Sequence, residues 1–299
     1  MPEPIILYAK ECADEVLEDV KAHVELFTNS PHFAIIKVGD NPASEVYARH
    51  KESDARKCGI VVSRYSYPDN GKDYTDRIIK LITELNMDAS VCGIMVQLPL
   101  PVQYTMDKQV KIIESISPYK DVDGLTRYNA GMLYTNAPKG EYLKPCTPYG
   151  IMTLLEHYHL DAVYGHNVVV IGQSPIVGKP IAQMMLQNHA TVTVCHSATR
   201  NLKEYTKCAD IIITAVGERN FITPDMIPDD RCFGIIDVGI NRDDSGNLCG
   251  DCHPDVYKQS MWYTPVPGGV GLMTRAMLMR NVIHAAYDVK KMEDTKANR

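Results

Sequence analysis

The sequence lacks a long apolar run, an excess of positive charge and an ordered cysteine framework. No apolar stretch approaches the roughly 18 residues that mark a membrane-spanning helix, so no membrane partner is expected. Against 31 Lys+Arg stand 37 Asp+Glu, for a formal net charge of -6. That balance offers no global attraction to phosphate backbones or anionic lipid surfaces, and nucleic acid is not an expected partner either. The nine cysteines are odd in number and scattered from Cys12 to Cys252, which points to reduced thiols in a reducing compartment. Cys249 and Cys252 form the one close pair. With no second pair or His ligands nearby, and following a Gly-Asn turn rather than opening a helix, they read as incidental thiols; no metal site is expected. The first twenty residues hold Glu3, Glu11, Asp14, Glu15, Glu18 and Asp19 but no arginine and no apolar core, unlike a transit or signal peptide. The expected location is cytoplasmic. Internal repeats and low-complexity segments are also missing.

What is present is an ordinary globular composition, 45% hydrophobic and 23% charged over 299 residues. At about 150 residues per domain this length suits two domains. Apolar runs alternate with helical patterns almost throughout, the signature of β-α units stacked around a parallel sheet, so the fold class is α/β. In the first half, helices are expected over 11–27, 42–58, 74–85 and 106–116, and strands over 32–38, 60–65 and 92–97. The segment 144–150 breaks the pattern and marks a domain boundary near 146, with Thr147 expected to cap a helix whose first residue is Pro148. A connecting helix over 149–158 leads to a strand at 168–171, a helix from Gly178 to 187, and strands at 191–195, 210–216 and 234–238. This second half looks like a dinucleotide-binding sheet. A long helix over 271–292 closes the pattern, and its apolar stripe of Met277, Leu278, Val282, Ile283 and Ala286 requires a core, which the first domain can supply.

Several segments can carry chemistry. Gly172-x-Ser174-x-x-x-Gly178 sits where a strand meets a helix, but it departs from G-x-G-x-x-G. Such a turn either aims backbone N–H groups at a phosphate or is a plain tight connection. About 20 residues on, a ribose-binding carboxylate commonly ends the next strand. Here that strand ends Cys195-His196-Ser197 with Arg200 beyond. A hydroxyl and a guanidinium suit a 2′-phosphate, which leans the cofactor toward NADP over NAD; the alternative for Arg200 is a solvated surface charge. In the first half Ser44, Tyr47 and Lys51 share one helix face by their spacing, as an ordinary amphipathic pair would also do. Gln97 closes an otherwise apolar strand at its carboxyl end, where open α/β sheets bind ligands, and an amide there needs a partner. Asp121 and Asp123 share a tight turn that lacks the further oxygen ligands of a calcium loop; capping of the turn itself is the alternative for at least one of them. The loop over 264–271 joins prolines that fix its entry to glycines that let backbone approach a planar ligand.

Taken together, VGDNPASEVYARHK (38–51), GIMVQLPLP (93–101), KDVDGL (120–125), PCTPYG (145–150), VVVIGQSPIVGKP (168–180), DVGINR (237–242) and TPVPGGVG (264–271) carry a clear likeness. The chain resembles the bifunctional methylenetetrahydrofolate dehydrogenase/methenyltetrahydrofolate cyclohydrolase family from residue 35 to the last helix. The resemblance implies a three-layer α/β folate-binding catalytic domain at 1–146, to which the helix of 272–299 returns, and a Rossmann-like NAD(P)-binding domain at 147–271. It also implies an active-site cleft between them and a homodimer. The implied reactions are NADP-dependent oxidation of 5,10-methylene- to 5,10-methenyltetrahydrofolate and hydrolysis of the latter to 10-formyltetrahydrofolate. By matching position, Lys51 is the acid/base lysine, Tyr47 the ring that orients the folate, Gln97 the amide beside the lysine, and Asp123 the carboxylate that holds the pterin.

Elementary chemistry fits each of these implied roles. A carboxylate accepts two N–H bonds from an aminopyrimidine edge. The methenyl intermediate is a cation, so it favours the neutral amine at Lys51, which can then take a proton from attacking water. Gln97 can bond that amine without adding charge. Further substrate contacts are implied at Ser44, Val96, Leu98, Pro267, Gly268, Gly269, Val270 and Gly271. Cofactor contacts are implied at Gly172, Gln173, Ser174, Ile176, Val177, Gly178, His196, Ser197, Arg200 and Ile240. Gln173 stands where many family members carry an arginine for the 2′-phosphate, which leaves Ser197 and Arg200 to read it. Two other readings are a dehydrogenase of the same fold without cyclohydrolase activity and a non-catalytic folate-binding paralogue. The joint presence of Lys51, Gln97 and Asp123 argues against the first, and a cation facing a cationic ligand against the second.

Overall fold

The structure, a computed structural model, describes residues 3–39, 42–138, 140–229 and 233–297. Asp40 and Asn41 of the VGDNPASEVYARHK string, and Asn298 and Arg299 of the terminal segment, lie outside this set. The first half runs β1 (Ile5–Ile6), α1 (Lys10–Val24), β2 (His32–Val38), α2 (Pro42–Lys57), β3 (Val61–Tyr67), α3 (Thr75–Met87), β4 (Val91–Val96), α4 (Met106–Glu114) and α5 (Arg127–Tyr134). There follow α6 (Cys146–His157), β5 (Asn167–Ile171), α7 (Gly178–Gln187), β6 (Thr191–Cys195), α8 (Leu202–Thr206), β7 (Ile211–Thr214) and β8 (Gly234–Asp237). The last elements are β9 (Asn241–Arg242), β10 (Leu248–Cys249), α9 (Pro254–Gln259), β11 (Trp262–Tyr263) and α10 (Val270–Ala297). The chain divides into two compact units, 15–146 with 275–299 and 1–14 with 147–274.

The unit of 15–146 and 275–299 is built on a parallel sheet ordered β3-β2-β4. Its central strand, HFAIIKV, is apolar on both faces because both faces are covered, as a parallel sheet requires. Ala34, Ile36 and Val38 point to one side, where Ile78, Ile82 and Leu85 of α3 and Ile112 of α4 form a single core with them. On the other side, Met95 of β4 meets Lys51 of α2. The turn at 120–124 extends β4 through the N–H of Ile94, which donates to Lys120 O at 2.7 Å. Lys120, itself buried, donates to the carbonyls of Leu85, Asn86 and Asp88 at 3.0, 3.0 and 2.7 Å, so it closes the carboxyl end of α3. Helix α10 contributes Met277, Leu278, Val282, Ile283 and Ala286, all buried.

The unit of 1–14 and 147–274 holds six parallel strands in the order β1-β11-β8-β7-β5-β6. Two expectations need correction here. Residues 1–14 belong with this unit rather than with the rest of 1–146, because Ile5 and Ile6 pair in parallel with Trp262 and Tyr263. Helix α6 begins at Cys146, which puts Thr147 and Pro148 inside its first turn, where a missing proline N–H is harmless. The Thr147 hydroxyl pairs instead with that of Thr274 at 3.1 Å. Cys249 lies in the short β9-β10 hairpin and Cys252 just beyond it. Among the described residues no group of three or more His, Cys, Asp or Glu could hold a metal, no cysteine is in a disulfide, and no helix is long and apolar enough to cross a membrane.

Candidate active site

Helix α2 and strand β4 bring the central pair together. Met95 and Gln97 alternate with Val96 and therefore face one side of the sheet, toward α2. Lys51, only 8% exposed, donates from Nζ to Gln97 Oε1 at 3.1 Å and lies 3.3 Å from Met95 Sδ. The Gln97 amide is held in this orientation because its Nε2 donates to Leu98 O at 2.7 Å. Both hydrogen-bonding partners of the buried ammonium are thus neutral. One turn earlier on α2, Tyr47 is half-buried; burial pushes its phenol above the ordinary range while Arg275 of α10 pulls the other way, so it stays a protonated donor. One turn later, buried Asp54 sits with Oδ2 3.3 Å from Arg275 Nε, off the line of a hydrogen bond.

The first turn of α2 is tied to the sheet by charge. Glu45 accepts from Lys37 Nζ of β2 at 2.7 Å and from Arg49 Nε at 2.8 Å, and pairs with Arg64 of β3. Arg64 first, then Lys37, hold its carboxyl well below the usual carboxylate range. The helix face carrying Ser44, Tyr47 and Lys51 therefore has a fixed start.

The two carboxylates at 120–124 separate into different tasks. Asp121 is fully buried, and its Oδ2 accepts the N–H of Thr126 at 2.7 Å and Nδ2 of Asn129 at 2.9 Å. It holds the turn and the capped start of α5. Burial pushes the Asp123 carboxyl above its ordinary value, while the charge of Lys51 pulls it down and that of Asp121 pushes it further up. The side chains around Asp123 were not anticipated from sequence. Cys146 Sγ lies 3.3 Å from Val122 O and 3.9 Å from Asp123 Oδ1, and burial pushes this thiol far above its ordinary value. Asn281 of α10 donates to the carbonyls of Val122 and Lys144, each at 2.8 Å. An asparagine inside the otherwise apolar stripe of a helix was the available signal, since a buried amide must be bonded.

In the other unit, the segment after β5 forms a close-packed turn. A Cβ on Gly178 would lie 1.9 Å from Gly172 O, and one on Gly172 would lie 2.6 Å from Ala215 O, so neither position admits a side chain. Ser174 Oγ accepts the N–H of Val177 at 3.1 Å and that of Gly178 at 3.4 Å, shaping the loop from within. Gln173 and Ile176 are exposed on it. On the neighbouring β6, the carboxyl end turns through His196, whose N–H donates to Thr199 Oγ1 at 2.9 Å, and exposes Ser197 and Arg200. Ile240 is exposed beyond β8. A glycine turn against a helix start, with a hydroxyl, a guanidinium and no carboxylate at the next strand end, fits a phosphorylated dinucleotide. In the loop before α10, Pro267 is exposed, Gly269 is too close to Pro265 O for a side chain, and Gly268 O accepts the N–H of Ala9 at 2.9 Å.

Known proteins match both units. Residues 7–123 match the family described as tetrahydrofolate dehydrogenase/cyclohydrolase, catalytic domain, and residues 145–290 its NAD(P)-binding domain. The chain is 48% identical over 262 residues to the bifunctional protein FolD of Variovorax paradoxus, across 87% of this chain and 89% of that one. Among solved structures it is similar to the bifunctional FolD methylenetetrahydrofolate dehydrogenase/cyclohydrolase of Campylobacter jejuni, with a TM-score of 0.88 and 40% identity over 95% of this chain and 98% of that one. The methylenetetrahydrofolate dehydrogenase-cyclohydrolase of Trypanosoma brucei, solved with NADP and an inhibitor, gives a TM-score of 0.88 at 30% identity, covering 96% of this chain and 99% of that one.

Proposed function

The chain belongs to the tetrahydrofolate dehydrogenase/cyclohydrolase family, and we propose on that footing that it is a bifunctional enzyme of one-carbon metabolism. It oxidises 5,10-methylenetetrahydrofolate with NADP and hydrolyses the methenyl product to 10-formyltetrahydrofolate. We assign the folate to the unit of 15–146 and 275–299 and the dinucleotide to the unit of 1–14 and 147–274. The observation that carries this reading is the buried Lys51 Nζ at 3.1 Å from Gln97 Oε1, with Asp123 within its electrostatic reach.

In this assignment Asp123 accepts the N–H groups of the pterin edge, and the Tyr47 ring orients the folate. Ser44, Val96 and Leu98 line the rest of the substrate. In the hydrolytic step water bonds to the methenyl carbon, neutral Lys51 takes the water's proton, and the same amine returns a proton to the ring nitrogen as its carbon bond breaks. Gln97 directs the lysine toward that carbon while adding no charge; a carboxylate there would hold the ammonium. NADP, when bound, supplies the hydride acceptor. Gly172, Gln173, Ser174, Ile176, Val177 and Gly178 would cradle its pyrophosphate, with Ser197, Arg200 and the His196 turn at the 2′-phosphate and Ile240 toward the nicotinamide.

A homodimer is part of the same proposal, supported by the open edge of β3, where Val61 is exposed. A cytoplasmic location is supported by the absence of disulfides among the described cysteines. The functional test is direct: purified protein, 5,10-methylenetetrahydrofolate and NADP should give methenyl absorbance that rises and then decays. Absence of turnover with both NADP and NAD overturns the reading.

A further inference from the structure

Asp237 and Asp251 are both fully buried, yet neither takes part in the assignments above. The Asp251 carboxylate gathers donors from two loops. After β7 it accepts the N–H groups of Val216, Gly217 and Glu218 at 2.8, 3.1 and 3.0 Å, and the Thr214 hydroxyl at 3.0 Å. From β9, just past β8, Asn241 Nδ2 donates to it at 2.9 Å. Asp237, the last residue of β8, accepts the N–H groups of Gly239, Asp251 and Cys252 at 3.0, 3.0 and 2.9 Å, and the Tyr257 hydroxyl at 2.7 Å. The packing leaves no slack. A Cβ on Gly239 would fall 2.0 Å from Asp251 Oδ1, and one on Gly250 would fall 2.2 Å from Asp237 Oδ2.

Burying two carboxylates is costly unless every lone pair is met, and apolar residues would fill the space more cheaply. What the carboxylates supply is direction. Converging backbone N–H groups of this kind are how loops hold external anions; after β7 the protein's own Asp251 occupies them, so this loop is locked rather than open to phosphate.

Strand order shows what the lock faces. Read across β6, β5, β7 and β8, the carboxyl ends carry first Arg200, then the glycine turn, then the two loops held by Asp251. This step rests on the cofactor assignment above: with the 2′-phosphate at Arg200 and the pyrophosphate at the glycine turn, the nicotinamide half extends over β7 and β8. Val216 and Ile240, both apolar, stand 37% and 46% exposed there, one donating its own N–H to Asp251 and the other adjacent to Asn241. We propose that Asp251 is a positioning residue for the nicotinamide half, fixing the loops whose Val216 and Ile240 side chains form the seat of the ring.

The test compares NADP with 2′-phospho-ADP-ribose, which lacks nicotinamide, on the wild type and Asp251→Asn. The variant should weaken NADP binding by roughly tenfold or more and lower dehydrogenase kcat to match, while the fragment's affinity and cofactor-free hydrolysis of methenyltetrahydrofolate change by less than about threefold. Equal weakening of fragment and NADP, or unchanged NADP binding and turnover, overturns the proposal. If Asp251→Asn fails to fold, judged by loss of hydrolysis as well, Asn241→Ala decides by the same split. Calorimetric binding reads that split without turnover, so an inactive wild type overturns the functional reading and leaves this comparison intact.

Discussion

At the scale of single residues, buried Lys51 has two neutral hydrogen-bond partners, an amide oxygen and a thioether. Lys51→Met should cut methenyl hydrolysis by about 10²–10⁴-fold while folate still binds, as checked by the decay of methenyl absorbance beside equilibrium binding. Asp123 sets the pH response. Burial raises its carboxyl above the ordinary value, so as pH falls it should protonate before an ordinary aspartate would and folate KM should rise, a dependence that Asp123→Asn abolishes. The stability sign is opposite: a carboxyl raised in the folded state binds its proton more tightly there, so this group favours folding more as pH falls, and unfolding does not explain the lost affinity. Arg200→Ala should raise the KM for NADP by about tenfold, the worth of a charge-assisted contact, and leave that for NAD nearly unchanged; equal effects in parallel cofactor titrations would remove Arg200 from the 2′-phosphate. Gln97 was legible in the sequence because it closes an apolar run, whereas Lys51 lies in a mostly polar helix and stood out only through the family resemblance. The division of labour between Asp121 and Asp123 was not legible, because only the fold decides which carboxylate meets Thr126 and Asn129.

At the scale of elements, the regular helices and strands were readable from periodicity to within two or three residues, as β2 and β6 illustrate, except that α10 runs to Ala297 rather than ending near 292. What escaped were pieces too short to have a period. Strands β1 and β11 are two residues each, and α5 contains Gly131 and depends on the Thr126 cap and on Asn129. Side-chain anchors decide these elements. Lys120 is the clearest case, since its ammonium closes α3 and its backbone carries the turn that presents Asp123. Lys120→Met should leave three carbonyls without their donor and cost about 2–4 kcal/mol, seen as a lower urea midpoint at unchanged slope. Folate KM should rise with it.

At the scale of the whole molecule, composition and alternation sufficed for an α/β chain of two units, but the path between them did not follow a single cut. The proposed dimer is checked by light scattering: the wild type should have about twice the chain mass, and Val61→Lys, which charges the exposed β3 edge, should shift it toward monomer. The path itself has a consequence for biosynthesis. Ile5 and Ile6 are made long before Trp262 and Tyr263, the strand that receives them, and the other unit is closed by a helix made later still. Neither unit can be finished before β11 and α10 have been made, so until then the nascent chain carries an unpaired sheet edge and an uncovered sheet face.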